Sequence, residues 1–360
     1  MQAYDAFLLV SFGGPEGPDD VMPFLENVTR GRGIPPNRLA AVAEHYFAVG
    51  GVSPINQQCR DMLTAIQAEF SAGGLSLPVY WGNRNWPPYL TDTVRAMAEA
   101  GVRRAIAFVT SAYSSYSSCR QYLDDIERAR AAVGPGAPQI DKIRRFFNHP
   151  GFIEPFAANA DAALATLPAE VREDAHLVFT AHSIPTAMAD ASGPGGGRRY
   201  VAELTEAARL IAERTDGGSH PWTLAYQSRS GSPAQPWLEP DVCDHLGELV
   251  KSGTEAVVVI PVGFVSDHME VRHDLDVEAA QSAESLGLAF ARAATPGTRP
   301  RFASMITELV RERLDLPEVK PRALGTMGVP SQVCPADCCR YGPVSASANR
   351  AGEVRRPTRA

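Results

Sequence analysis

The chain has no long apolar run. Nothing in its 360 residues approaches the ~20 consecutive apolar residues that a membrane helix needs, so no integral membrane segment is expected. It also has no excess of positive charge. Lys plus Arg is 34 against 41 for Asp plus Glu, a net charge of −7. A general nucleic-acid binder needs a basic surface to displace counterions, so no nucleic-acid partner is expected. Disorder of the whole chain is excluded as well, because 44% hydrophobic and 21% charged residues match ordinary globular usage and provide for a full core. The start, MQAYDAFLLVSFGG, lacks a basic n-region and a small-residue cleavage site, so no secretory leader is expected. Cysteine is scarce. Cys59, Cys119 and Cys243 are scattered singly through the body, which is no disulfide framework for a chain of this size, and a reducing cytoplasmic location is expected. The other three, Cys334, Cys338 and Cys339, crowd together near the end.

What is there is alternation. Short β-branched runs read as strands at Ala6–Ser11, Pro78–Asn83, Ala105–Ser111, His176–Ala181, Thr223–Gln227, Ala256–Ile260 and Leu288–Arg292. Helical patterns lie between them, at Thr91–Ala100, Gln121–Ala132, Tyr200–Glu213, Val242–Lys251 and Asp267–Leu286. Continuous apolar strands are those of a parallel sheet buried on both faces. The alternation predicts an α/β fold of two similar doubly wound domains, each a parallel sheet flanked by helices, with a cleft between them. The expected division is 1–170 for the first domain, 171–316 for the second, and 317–360 for a cysteine-containing tail. From Pro321 onward the tail is rich in Gly, Pro, Ser and Ala without a period, and reads as a loop or disordered extension.

Ligands of open α/β sheets gather at the carboxyl ends of the strands. Here those ends read Ser11-Phe12-Gly13-Gly14, Asn83-Arg84-Asn85-Trp86, Ser111-Ala112-Tyr113, Ala181-His182-Ser183, Gln227-Ser228-Arg229 and Pro261-Val262-Gly263-Phe264. Polar, aromatic and glycine residues recur at one place in unit after unit, which suggests one large cleft. In FTAHSIP, His182 sits on a strand-to-loop exit, where an imidazole either accepts a proton or binds a metal, or merely hydrogen-bonds the neighbouring backbone. In PVGFVSDHMEVRHDLDVEA, Ser266 and Asp267 read as a helix cap, and Glu270, Asp274 and Glu278 recur at i, i+4 and i+8. That line is either a solvated face or a carboxylate track for metal or protons into the cleft. His268 reads as an orienting group. The paired glycines of GGVSPINQQ are either a loop approaching a ligand or an ordinary helix-ending turn. SAYSSYSSCRQY is either a surface for a flat aromatic ligand bearing carboxylates or a polar helix start. Cys334-Pro-Ala-Asp-Cys338-Cys339 offers soft ligands for zinc or an iron–sulfur cluster, or belongs to a disordered tail.

From about residue 4 to residue 316 these pieces, in this order, resemble the ferrochelatase family. The most specific are LLVSFGGPEGPDDVMPFLENVTRGRG, GGVSPIN, FTAHSIP, YQSRSGSPAQPWLEPDV and PVGFVSDHMEVRHDLDVEA. The resemblance is to the actinobacterial branch, whose enzymes act on coproporphyrin III. It implies insertion of ferrous iron into coproporphyrin III in haem biosynthesis, with haem-pathway enzymes downstream. It implies that His182 and Glu270 are the catalytic and ferrous-iron residues, and that Asp274 and Glu278 form an acidic path behind Glu270. Ser53 and Tyr122 match porphyrin-contacting positions. Phe12 stands where relatives carry Tyr or another bulky residue facing the metal, so no axial Tyr is available. Membrane-associated relatives carry a longer apolar lip where this chain has IPPNRLAAVAEHYFAV, which fits a soluble enzyme and a tetracarboxylate substrate. Some members bind a 2Fe–2S cluster through three C-terminal cysteines and one internal cysteine. The tail thiols are present here, but GFIEPFAANADAAL, where animal relatives place the internal ligand, has no cysteine. Cys243, Cys119 and Cys59 stay open as the fourth ligand.

On this reading His182 handles protons or iron on one face of a distorted macrocycle, while Glu270 does so on the other. The alternatives are a protoporphyrin IX ferrochelatase, a smaller cobalt or nickel chelatase, and a non-catalytic porphyrin or haem carrier on the same fold. A periplasmic-type solute binder is disfavoured by the missing leader.

Overall fold

The computed structural model describes residues 4–31, 33–231 and 234–341. Eight strands form two four-stranded sheets. The first holds β1 (Ala6–Ser11), β2 (Val79–Asn83), β3 (Arg104–Val109) and β4 (Gln139–Lys142) in the order β2-β1-β3-β4. The second holds β5 (His176–His182), β6 (Trp222–Gln227), β7 (Ala256–Ile260) and β8 (Ala289–Arg292) in the order β6-β5-β7-β8. Every pairing is parallel, with Phe7 opposite Val79 and Ala105 opposite Ala6 in the first sheet, and Leu177 opposite Trp222 in the second. The α/β architecture expected from the alternation is present, and each apolar run identified as a strand lies in one. The missed strand is β4, whose four residues QIDK mix polar and apolar side chains as a short edge strand can.

Alternation of side chains along each strand divides the core. Leu8 and Val10 face a layer with Val94, Met97 and Ile126, whereas Phe7 and Leu9 face the opposite way. In the second sheet Val257 and Val259 pack with Leu246 and Leu275. The inner faces of both sheets share one continuous core, in which Phe7 and Phe108 from one sheet lie in the same cluster as Phe179 and Ile260 from the other. Between them runs the helix Pro150–Leu164, buried almost all round, as its apolar sequence requires. The helix Pro300–Arg313 returns from the second sheet to pack on Ile55–Ala72 and Pro150–Leu164. It is held there by Phe302 against Phe108 and by a buried bidentate pair, Arg144 Nε and Nη2 to Glu312 at 2.7 and 2.9 Å.

Three local expectations change. The stretch expected as one helix, Asp267–Leu286, is a short α-turn at Met269–Val271, a π-helix at Arg272–Ala279 and an α-helix at Ala280–Ser285. Its cap is not Ser266 or Asp267. Asp267 is committed to Arg292 at 3.1 Å, and the His268 ring accepts the Glu270 and Val271 N–H groups at 3.2 and 3.4 Å instead. The tail is not loose as far as Tyr341. Leu324 N–H donates to the Asn148 carbonyl at 2.8 Å, Thr326 N–H to Glu206 at 2.9 Å, and Arg120 to the Ala336 carbonyl at 3.1 Å, so its backbone polar groups find partners on the body. The extension expected to be disordered, from residue 342, lies outside the described residues. No helix among the described residues is long and apolar enough to cross a membrane.

The paired glycines end the helix Pro36–Phe47, with Gly50 and Gly51 at φ +85° and +73°. A Cβ on Gly51 would stand 2.6 Å from Pro18 Cα. The close approach at Gly51 is to the start of the helix Pro18–Val28. It docks the following segment so that Ser53 N–H donates to the Pro15 carbonyl at 2.8 Å. Gly51→Ala combines a left-handed backbone with that clash and is expected to cost about 2–4 kcal/mol. Denaturant unfolding checks this, and Gly17→Ala, whose Cβ meets nothing within 4 Å, serves as the mild control.

Candidate active site

In each sheet the chain turns from one direction of winding to the other beside its first strand. The switch lies between β1 and β3 in one sheet, and between β5 and β7 in the other. A crevice opens outside the carboxyl ends at such points. Phe12 follows the last residue of β1, and His182 is the last residue of β5, so each stands at the carboxyl end of its sheet's first strand. Two tyrosines pack beneath these ends, one of which, Tyr113, crosses from the first half to the second. Tyr113, leaving β3, donates to the Val262 carbonyl beyond β7 at 2.8 Å, and Tyr200 donates to the His182 carbonyl at 2.9 Å. Their rings meet edge to face at 6.4 Å. SAYSSYSSCRQY is thus largely a packed helix entrance: Tyr113 is core, Ser114 binds the buried Glu203, and Ser115 caps the turn.

His182 is about one-third exposed, and its Nδ1 lies 2.5 Å from the Ser183 carbonyl. A carbonyl only accepts, so Nδ1 carries a proton and points to the backbone, leaving Nε2 as the ring nitrogen turned to the cleft. That Nε2 lies 3.7 Å from Glu270 Oε2. The carboxylate is placed by His268, which caps the turn at Glu270 N–H. The orienting role expected of His268 is what its bonds provide, and burial lowers its own pKa. The spacing corrects one expectation. A macrocycle needs roughly 3.5 Å of van der Waals clearance on each face, so no ring fits between groups 3.7 Å apart. His182 and Glu270 stand side by side on one wall.

Behind Glu270 the π-helix gathers the acidic line. Burial pushes the Asp274 carboxyl up to about 6, and Glu270 and Glu278 add to the shift. The Ser228 hydroxyl donates to Asp274 and opposes it. Ser228 itself has φ +61°, an uncommon conformation for a non-glycine residue, at the end of β6. His273 joins the group, its Nδ1 3.6 Å from Asp274 and 3.8 Å from Glu278. Its ring stacks on His45, from the helix Pro36–Phe47, at 3.8 Å. His273, Asp274 and Glu278 offer three ligand atoms within 4.8 Å of one another. The place of His273 beside Glu278 is not legible in the sequence, because positions five apart share a face only where hydrogen bonds run i→i+5.

The expected porphyrin contacts are distributed unevenly. Ser53 is buried against Gly14, where a Cβ would meet it at 2.7 Å. Phe12 packs edge to face on Phe24 at 6.4 Å. Tyr122 is buried, with its hydroxyl 3.4 Å from Thr110 and the Arg84 guanidinium 4.1 Å above its ring. Arg84, not named among the expected contacts, therefore stands over Tyr122.

The tail brings its thiols to the body. Cys119 hydrogen-bonds Cys334, and the Cys338 and Cys339 sulfurs lie 3.6 Å apart. Gly193 N–H donates to Cys339 at 3.1 Å. The Cys334 hydrogen bond, with the Lys142 and Arg145 cations, holds the Cys119 thiol well below the ordinary range. Cys334 is pushed up by the same bond and by burial. Cys59 is buried elsewhere, against Ser11 at 3.2 Å, and Cys243 lies near Asp241 and Glu278.

The raised Asp274 carboxyl has a consequence for stability. Its folded pKa exceeds the unfolded one, so its contribution is fully present below about 4 and is lost as pH rises through about 6. Asp274→Asn, which can still accept from Ser228, is expected to raise the Tm of metal-free protein at pH 8. That gain disappears as the pH is lowered from 6 to 4, as calorimetry across that range will register.

The ferrochelatase family model matches residues 4–314. Among curated relatives, a coproporphyrin III ferrochelatase of Streptomyces coelicolor is 58% identical, covering 93% of this chain and 93% of its own. One of Nocardia farcinica is 55% identical over 94% of this chain and 97% of its own. A ferrochelatase of Rhodopirellula baltica is 53% identical over 94% of each. In fold alone, a solved structure of SirB from Bacillus subtilis with Fe3+ superimposes at TM-score 0.52 and 13% identity, covering 88% of this chain and 100% of its own. With a family match spanning both sheets and relatives this similar over nearly their whole length, the chain belongs to the ferrochelatase family.

Proposed function

We propose that this protein inserts ferrous iron into coproporphyrin III to give iron coproporphyrin III (coproheme), in the cytoplasm, for use by downstream enzymes of haem synthesis. Residues 1–170 and 171–316 act as the two domains walling the cleft, and 317–360 as a cysteine-bearing tail. The observation that carries the reading is the Nε2 of His182 standing 3.7 Å from Glu270 at the carboxyl end of β5, with Nδ1 held by the Ser183 carbonyl, in a chain of this family.

Insertion releases two pyrrole protons as Fe2+ loses its waters and meets four nitrogens. Binding energy from the substrate's carboxylates holds the ring bent so that nitrogen lone pairs are exposed. His182 and Glu270 work on the same face. The Nε2 lone pair accepts a pyrrole proton, and the adjacent carboxylate receives the ion or relays the proton. Asp274, poised near pH 6, continues the path with Glu278 and His273 toward solvent. Phe12, on the other sheet's equivalent strand end, supplies a flat apolar surface and no ligand.

His182→Ala and Glu270→Gln are each expected to reduce kcat by about 10²–10⁴-fold while leaving porphyrin binding, read by fluorescence quenching, nearly intact. Near wild-type turnover in either removes that residue's role. Coproporphyrin III is expected to give the higher kcat/KM against protoporphyrin IX. Equal values indicate the protoporphyrin reading, and stoichiometric spectral change without Fe2+ consumption indicates a carrier.

A 2Fe–2S cluster is part of the same proposal. Four free thiols come together in two close pairs, Cys119 with Cys334 and Cys338 with Cys339. Lys142 and Arg145 face them with positive charge. A donor set of four thiolates with cations beside it fits such a cluster, and Cys119 takes the fourth position. When bound, the cluster would supply Fe–S bonds cross-linking the tail to the segment that leads into Tyr122. Anaerobically purified protein is expected to show a thiolate-to-iron visible band and two tightly bound irons with two sulfides. Cys119→Ser abolishes both, and Cys59→Ser and Cys243→Ser keep them. A Cys119→Ser protein that retains the full iron and sulfide content rules Cys119 out.

A further inference from the structure

We propose that Arg84 and Asn85 form a carboxylate subsite that receives one propionate of the porphyrin, an inference that rests on the function proposed above. Both residues follow β2, at the carboxyl edge of the first sheet. Their backbones are fixed there: Arg84 N–H donates to the Ser11 carbonyl and Asn85 N–H to the Phe12 carbonyl, each at 3.0 Å. They therefore move with the β1 exit that carries Phe12.

The Arg84 side chain is nine-tenths buried. Its Nε binds Asp125, and its Nη1 donates to Gln121 at 3.3 Å. Its Nη2 is buried and has no hydrogen-bond partner among the described residues. Asn85, 9% exposed, has an unpartnered Nδ2 as well. Two orphaned donors on adjacent residues are costly to bury unless something accepts from them. Both line a single cleft of ≈ 740 Å³, together with Asn27, Arg30, Gln121 and Arg128. The acids on its wall are already engaged. Asp125 is held by Arg84 and Arg128, and Asp92 pairs with Arg95 at 2.6 Å. Among the described residues the wall keeps two unpartnered donors, one unpartnered acceptor in Asn83 Oδ1, and the Arg30 cation, and the excess of donors and positive charge favours an anion.

Geometry ties the anion to the porphyrin. The Arg84 guanidinium lies 5.8 Å from the Phe12 ring centre and 4.1 Å from that of Tyr122. A planar fork above two aromatic rings and tied to Asp125 is fixed in place beside the surface proposed to hold the macrocycle. A propionate hanging from the macrocycle edge has the length and charge to reach it. Tyr122 then acts as the platform under Arg84, with its own hydroxyl turned to Thr110.

The test is steady-state insertion with coproporphyrin III and Fe2+, using wild type, Asn85→Asp and Arg84→Met, with Arg84→Lys as the conservative variant. Asn85→Asp keeps the shape and turns a donor into a negative charge. It and Arg84→Met are expected to raise the porphyrin KM about tenfold or more, with the KM for Fe2+ and kcat within about twofold. Arg84→Lys should recover part of the loss. Circular dichroism and Tm establish folding. Should Arg84→Met fail to fold through loss of the Asp125 pair, the isosteric Asn85→Asp decides alone. An unchanged porphyrin KM in folded Asn85→Asp overturns the subsite, as does a fall in kcat with no change in KM. Wild-type turnover of coproporphyrin III is the separate control. Its absence would refute the proposed function and not this assignment alone.

Discussion

The bond from His182 Nδ1–H to the Ser183 carbonyl governs what the cleft can do. It consumes one ring nitrogen and leaves the other, Nε2, facing Glu270. Nothing about a histidine at a strand exit requires this. It follows because β5 continues to His182 and the next carbonyl turns back under the ring. The backbone is held in turn by Tyr200, whose ring rests on Tyr113, and Tyr113 reaches across to the Val262 carbonyl. One chain of contacts thus connects the imidazole to the strand exits of both sheets. The wall is held by buried bonds, while Glu270 beside it is about half exposed.

Acidity behind that wall is arranged at a cost to stability. Three carboxylates face one another along a helix wound in the less common π form, and burial raises the middle one. The winding itself brings His273 and Glu278 together. Contact of His273 with His45 joins this track to the helix at the cleft mouth. Local irregularities therefore concentrate here: the π-turns, the left-handed Ser228 and the His268 cap. Such features persist only where the surrounding structure over-determines them, and the fully buried β7 beneath supplies that support.

Much of this was legible in the residues. Apolar runs such as AFLLVS and AVVVI gave strands because burial on both faces leaves no room for polar alternation. The strand exits marked the cleft because α/β sheets collect ligands there. Sequence spacing failed where tertiary packing decides. No periodicity distinguishes a π-helix from an α-helix over eight residues, so the grouping of His273 with Glu278 was not legible. The side-by-side placement of His182 and Glu270 depends on how the loop after β7 folds back on β5, where a Cβ on Gly263 would stand 2.7 Å from Ala181 Cα. Arg84 looked like one polar residue among several until its partners, and its one unpartnered nitrogen, were visible. That Cys119, and not Cys59 or Cys243, lies beside the tail thiols was not legible, because the tail's path across the body is set by scattered hydrogen bonds to Asn148, Glu206 and Arg120.

The central claim is that proton acceptor and carboxylate share one face of the substrate. Anomalous diffraction from crystals soaked with zinc in place of ferrous iron, with porphyrin bound, tests it most directly. The account predicts an ion touching both His182 Nε2 and Glu270, with the macrocycle lying wholly to one side of the two residues. A macrocycle seated between the imidazole and the carboxylate would contradict it.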